Sequence, residues 1–203
     1  MRSLFLSLFF IFSIFANGQN LYIKTYGNQK SKPVIFIHGG PSGNATLFEG
    51  TTAQNLANQG FYVIAYDRRG EGRSTDPNAT FTYEEAFKDL NSIYKKYNLK
   101  KAILLSHSFG GLVATLYTNK YPKNVSALVL AGALFSQQET YDHILNSIKK
   151  IHDGDSKTLN KIAYIEKLDK NSAGYRKHCF DLASDENYFK MPKPTAKSKK
   201  TIC

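Results

Sequence analysis

Leu104-Leu105-Ser106-His107-Ser108-Phe109-Gly110-Gly111 carries an apolar strand directly into a helix through small residues. This is the setting of a sharp strand-to-helix turn that lifts one serine above a sheet edge, where its hydroxyl is free to act as a nucleophile. Ser108 is the candidate. Ser106 stands where the usual G-x-S-x-G pattern has its first glycine, and it still supplies a small residue where strand and helix crowd each other. The plainer alternative is that Ser108 only caps the following helix.

Outward from this turn, short apolar runs alternate with helical patterns. In order they are Val34 to Ile37, a helix near 46–59, Phe61 to Tyr66, a helix near 83–97, Ala102 to Leu105, a helix near 109–121, and Ala127 to Ala131. Continuous apolar runs separated by helices indicate parallel strands buried on both faces. The fold class is therefore α/β. Thr82 and Glu85 form a capping-box pair at the start of the 83–97 helix, and Pro122 ends the helix after the Ser108 turn. Residues 19–136 are expected to form the N-terminal part of the core. Three amphipathic stretches, Tyr141 to Ile151, Thr158 to Leu168 and Tyr175 to Ala183, make 137–190 a partial helical cap. Residues 191–203 are Pro- and Lys-rich and are expected to be disordered.

Composition narrows the partners. The 203 residues include 27 Lys+Arg and 16 Asp+Glu, a net charge of +11. The surplus is spread evenly along the chain, so no nucleic-acid stripe is expected. Two cysteines, Cys179 and Cys203, cannot make a disulfide scaffold, and no Cys/His group has zinc-site spacing. No metal framework is expected. At the start, Arg2, the apolar run Leu4 to Ala16 and the small residues Ala16 and Gly18 follow the order of a secretory signal peptide. Residues 1–18 are expected to be cleaved and the chain exported, to the periplasm or the exterior. The apolar run is short of the about 20 residues of a spanning helix, so no stable membrane anchor is expected.

Two further turns follow strands. In Ile37-His38-Gly39-Gly40-Pro41-Ser42-Gly43, the Gly40 N–H is placed to join the N–H of Phe109 in holding a developing oxyanion. His38 precedes the serine and is read as a hydrogen bonder that organises the loop. Asp67-Arg68-Arg69-Gly70-Glu71-Gly72-Arg73-Ser74 lacks the spacing of a phosphate loop and is read as a self-folding charged turn.

Together HGGPSG, DRRGEGRS and SHSFGG, at the ends of consecutive strands, resemble the α/β-hydrolase superfamily over about residues 21–135. The first two look most like the proline iminopeptidase branch, with its HGGPG and DQRGxGxS loops. Ser42 departs from that branch, and the elbow reads like the general GHSxGG hydrolases. The resemblance implies a mostly parallel sheet with flanking helices. It also implies cofactor-free cleavage of a small peptide or ester through an acyl-enzyme on Ser108, with release of N-terminal proline and with Gly40 and Phe109 as oxyanion donors. In such proteins an acid and then a histidine follow two further strands. Here the residues after Ser108 read as one strand, a cap and a tail. The triad acid and histidine are therefore expected to be absent, the C-terminal core strands missing and activity impaired. His107 is read as a packing residue, and His143, His152 and His178 receive no role. Two alternatives stand beside this reading: a general esterase-like hydrolase, and a catalytically silent fragment or peptide-binding relative.

Overall fold

The computed structural model describes residues 21–40, 42–170 and 172–188; the expected signal peptide and basic tail lie outside them. Five strands form one sheet: β1 (Ile23–Tyr26), β2 (Lys32–Ile37), β3 (Phe61–Tyr66), β4 (Ala102–His107) and β5 (Val125–Ala131). Their order is β1-β3-β2-β4-β5. β1 runs antiparallel to β3, while β2, β3, β4 and β5 are mutually parallel. The α/β class is borne out, with a mixed, mostly parallel sheet.

Connection order places the site. From β2 the chain moves outward to β3, then crosses back over to β4 on the other side of β2. That reversal opens a crevice at the carboxyl ends of β2 and β4, the usual ligand position in open α/β sheets. The polar turns read from the sequence all leave from this edge.

Both sheet faces are covered, which explains the unbroken apolar runs of β2 and β3. On one face Ile35, Ile37, Ile64, Tyr66 and Leu104 pack with Phe87, Leu90 and Ile93 of α3 (Tyr83–Lys96) and Val113, Ala114 and Tyr117 of α4 (Gly110–Lys120). On the other face Val34, Phe36, Val63 and Ala65 pack with Ala45, Phe48 and Ala53. The rings of Phe36 and Phe48 stack at 3.8 Å between centres. The helix expected near 46–59 is instead two short α segments, α1 (Thr46–Phe48) and α2 (Gln54–Asn58), joined by a π turn at Glu49–Ala53.

Three readings are corrected. β1 was not read from the sequence; its two middle residues are exposed and its two end residues only partly buried, so no apolar run marks it. β5 is not buried on both faces. It lies at the edge of the described sheet, and Val129 is 45% exposed. The Thr82–Glu85 box is half formed: Thr82 Oγ1 accepts from the Glu85 N–H at 3.3 Å, but the Glu85 carboxylate turns back to the N–H groups of Thr80 and Phe81.

After β5, α5 (Gln137–Ile151), α6 (Ser156–Glu166) and α7 (Ala173–Asp185) enclose their own apolar cluster, with Ile144, Ile148, Ile162, Ile165, Tyr175 and Cys179 buried. Side-chain caps from Ser136, Asp155 and Ser172 start the three helices.

Candidate active site

Ser108 sits between β4 and α4 at φ +50°, a left-handed conformation unusual for a residue with a Cβ. Its carbonyl accepts from the N–H groups of Gly111 at 2.9 Å and Leu134 at 3.0 Å, and its own N–H donates to Ala131 O at 3.3 Å. The bend is thus pinned to the end of β5. Around it there is no room for side chains. A Cβ on Gly110 would lie 2.3 Å from Ile37 O, one on Gly111 would lie 2.4 Å from the Ala133 Cβ, and one on Gly39 would lie 3.0 Å from the Ser108 Cβ. Ser106, fully buried, donates its hydroxyl to Val129 O at 3.3 Å.

Gly40, Ser108 and Phe109 line the same cleft. Neither the Gly40 nor the Phe109 N–H has an acceptor among the described residues. Both are available to an oxyanion. Main-chain N–H groups that converge on one point stabilise charge developing on a carbonyl oxygen, and these two are the candidates for that role.

His38 is buried behind this loop. Its Nε2 accepts from the Arg68 N–H at 2.9 Å, and its Nδ1 donates to Gly39 O at 2.6 Å. Burial, aided by the Arg68 charge, pushes its pKa down to about 4, so the ring is neutral with its proton on Nδ1. It ties the β2 loop to the β3 loop.

In the β3 loop, Asp67 is fully buried and accepts from the Ala45 N–H at 2.8 Å, from the Arg73 N–H at 2.8 Å and from Arg73 Nε at 2.7 Å. Burial alone would raise its pKa; the Arg73 and Ala45 hydrogen bonds outweigh it and hold the carboxyl below the usual range. Ser74 Oγ closes the turn by donating to Asp67 O at 2.6 Å. The other half of the loop faces the cleft. Arg69 pairs with Asp89, itself raised by burial, and Arg68 pairs with Glu71 at 2.8 Å.

The cleft holds about 960 Å³ and runs between the carboxyl edge of the sheet and the cap, which contributes Tyr141, Ile144, Arg176, Phe180 and Asp181. Phe81, 67% exposed and itself at φ +54°, stands on its rim.

The remaining sequence candidates are scattered. His107 is exposed and lies against Gly39. His143 contacts Ser147 at 3.5 Å, His152 pairs with Glu186 at 3.2 Å, and His178 packs edge-on to Tyr164. Among the described residues, no hydrogen bond reaches the Ser108 hydroxyl. Glu166, a cap acid, pairs with Lys149 at 3.2 Å and is not among the residues lining the cleft. Of the acids that do line it, Glu71 and Glu85 were read only as parts of a turn and a capping box, and Asp89 and Asp181 were given no role. Their only signal was position just after a strand or on the cleft-facing side of a helix.

Comparison with known proteins agrees with this fold. A family model described as the alpha/beta hydrolase fold matches residues 32–160. A proline iminopeptidase of Saccharolobus solfataricus is 31% identical over 140 residues, covering 67% of this chain and 44% of that one. A proline iminopeptidase of Lactobacillus delbrueckii subsp. lactis is 26% identical over 198 residues, covering 92% and 65%. The chain thus spans between about half and two thirds of the length of these relatives. The crystal structure of a Mycobacterium smegmatis proline iminopeptidase superposes with a TM-score of 0.63 at 15% identity, covering 90% of this chain and 62% of that one. At that identity the likeness concerns the fold alone.

Proposed function

The chain belongs to the α/β-hydrolase family, and from that premise we propose that it is a serine hydrolase of the proline iminopeptidase type, acting through an acyl-enzyme. Ser108 Oγ attacks the carbonyl carbon, the oxygen takes negative charge, and the Gly40 and Phe109 N–H groups receive it. Collapse breaks the bond to the amine, which leaves carrying the proton given up by the Ser108 hydroxyl; water then adds to the acyl carbon, frees the acid and returns a proton to Ser108 Oγ. The observation that carries this reading is the left-handed Ser108 in a roomy cleft that Gly40 and Phe109 also line, their N–H groups having no acceptor among the described residues. The proline specificity rests on the two curated relatives and on the HGGPSG and DRRGEGRS loops.

A fluorophosphonate probe tests it. Labelling that vanishes in Ser108→Ala supports an activated serine; folded protein that resists the probe refutes turnover. Faster cleavage of proline 4-nitroanilide than of a short 4-nitrophenyl ester would favour the peptidase over the esterase-like alternative. Export follows from residues 1–18 and is checked by the mass of the mature protein.

A second reading, a peptide-binding relative without turnover, is favoured by one observation: no described histidine hydrogen-bonds Ser108. Under it, peptides bind beneath the cap and the probe leaves the serine unmodified.

A further inference from the structure

Arg68 turns beneath the β2 loop instead of toward water and is 8% exposed. Its Nη2 lies 2.8 Å from Glu71 Oε2 and donates to Gly39 O at 3.3 Å. The same nitrogen occupies the space a Gly40 side chain would fill, since a Cβ there would come within 2.3 Å of it. On its other flank the guanidinium carbon is 4.9 Å from the centre of the Phe109 ring. Glu71, also buried, gives its second oxygen to the Ser42 N–H at 2.8 Å, at a residue held at φ +61°.

One ion pair therefore touches Gly39, Gly40 and Ser42 on the loop and Phe109 on the elbow. The two candidate oxyanion donors sit on separate elements, and Arg68 contacts both residues that carry them. A glycine-rich loop has many backbone states, whereas donors of this kind act only when they are fixed beforehand. Stability alone is a poor account of the pair, because burying two charges commonly costs as much as their attraction returns. Arg68 Nε is also buried without a partner, a further cost.

We infer that Arg68 and Glu71 are positioning residues, whose ion pair clamps the Gly40 loop against Phe109 and so sets the oxyanion site; this rests on the reading of that site given above. The test combines hydrogen–deuterium exchange, followed by mass spectrometry, with fluorophosphonate kinetics that separate the inactivation step from probe binding. It uses Glu71→Gln, Arg68→Gln and Arg68→Lys in the full chain. In both glutamine variants, exchange at residues 39–43 should rise about 10-fold, while β2 and β4 keep their protection. The inactivation rate should fall about 10- to 100-fold with little change in probe affinity, and Arg68→Lys should recover part of it. Glu71→Gln preserves side-chain shape and serves if Arg68→Gln does not fold. Unchanged loop exchange, or a uniform rise across the whole sheet, would overturn the inference. If the wild-type chain is never labelled, the hydrolase reading fails while the exchange comparison still decides the clamp.

Discussion

The turn after β4 holds Ser108 at φ +50° by main-chain contacts and by close approaches that glycine permits at 110 and 111, whereas the turn after β3 is folded around a buried carboxylate, Asp67. Both leave adjacent regions of one sheet edge and both are glycine-rich. Steric walls fix the first, and charged hydrogen bonds fix the second. Walls leave a hydroxyl and two amides unengaged and so suit a reacting centre. Charged hydrogen bonds use up every group they involve and so suit a support. His38 and the Arg68–Glu71 pair link the two regions.

The sharpest way to break this contrast is Asp67→Ala. It strands the Ala45 and Arg73 N–H groups and leaves the Arg73 guanidinium paired with Glu49 alone, so urea unfolding should show a loss of about 4 kcal/mol. A loss under about 1 kcal/mol would mean the network is not what folds the loop. At the other turn, Gly110→Ala drives a methyl into Ile37 O and His38 O, backbone atoms with little freedom to move. We expect a loss of about 3 kcal/mol; a neutral result would show the elbow to be looser than the walls imply.

Between the turns, acid should act through His38. Its folded pKa of about 4 lies below the ordinary 6.5, so the unfolded chain binds a proton between those values that the folded chain refuses. His38 thus contributes a loss of stability as pH falls from about 6.5 toward 4. His38→Gln should make the decline between pH 7 and pH 4.5 shallower by about 2 kcal/mol. Parallel declines in the two proteins would argue against a neutral, buried ring. The smallest effect is a gain: Ser108→Gly relieves the left-handed strain and should stabilise by about 1 kcal/mol while abolishing probe labelling. A destabilised glycine variant would mean that Ser108 supports the fold instead of being held by it.

Much of the framework was legible. The unbroken apolar runs of β2 and β3 announced strands covered on both sides, and small residues around Ser108 announced a crowded turn. β1 escaped because a short antiparallel strand with only its two end residues partly buried has no distinctive pattern. β5 was read as too buried because an apolar run does not tell which neighbour, if any, lies beside it. At the site, the spacing of glycines and serine marked the Ser108 turn and the Gly40 loop. Glu71, Glu85, Asp89 and Asp181 carried no such mark, since an acid on a loop or helix looks the same whether it faces water or a cleft.

The sequence by itself determined the local events: where strands pass into helices, which turn crowds a serine, and which family the loops resemble. Only the tertiary structure decided that Gly40 and Phe109, 69 residues apart, face one cleft, that Arg68 lies against both residues, and that the cap histidines are engaged elsewhere. The physical reason is that turn chemistry and apolar periodicity act over a few residues and are written where they act. A cleft arises from the order in which strands pair, and that order depends on contacts between segments far apart in the chain.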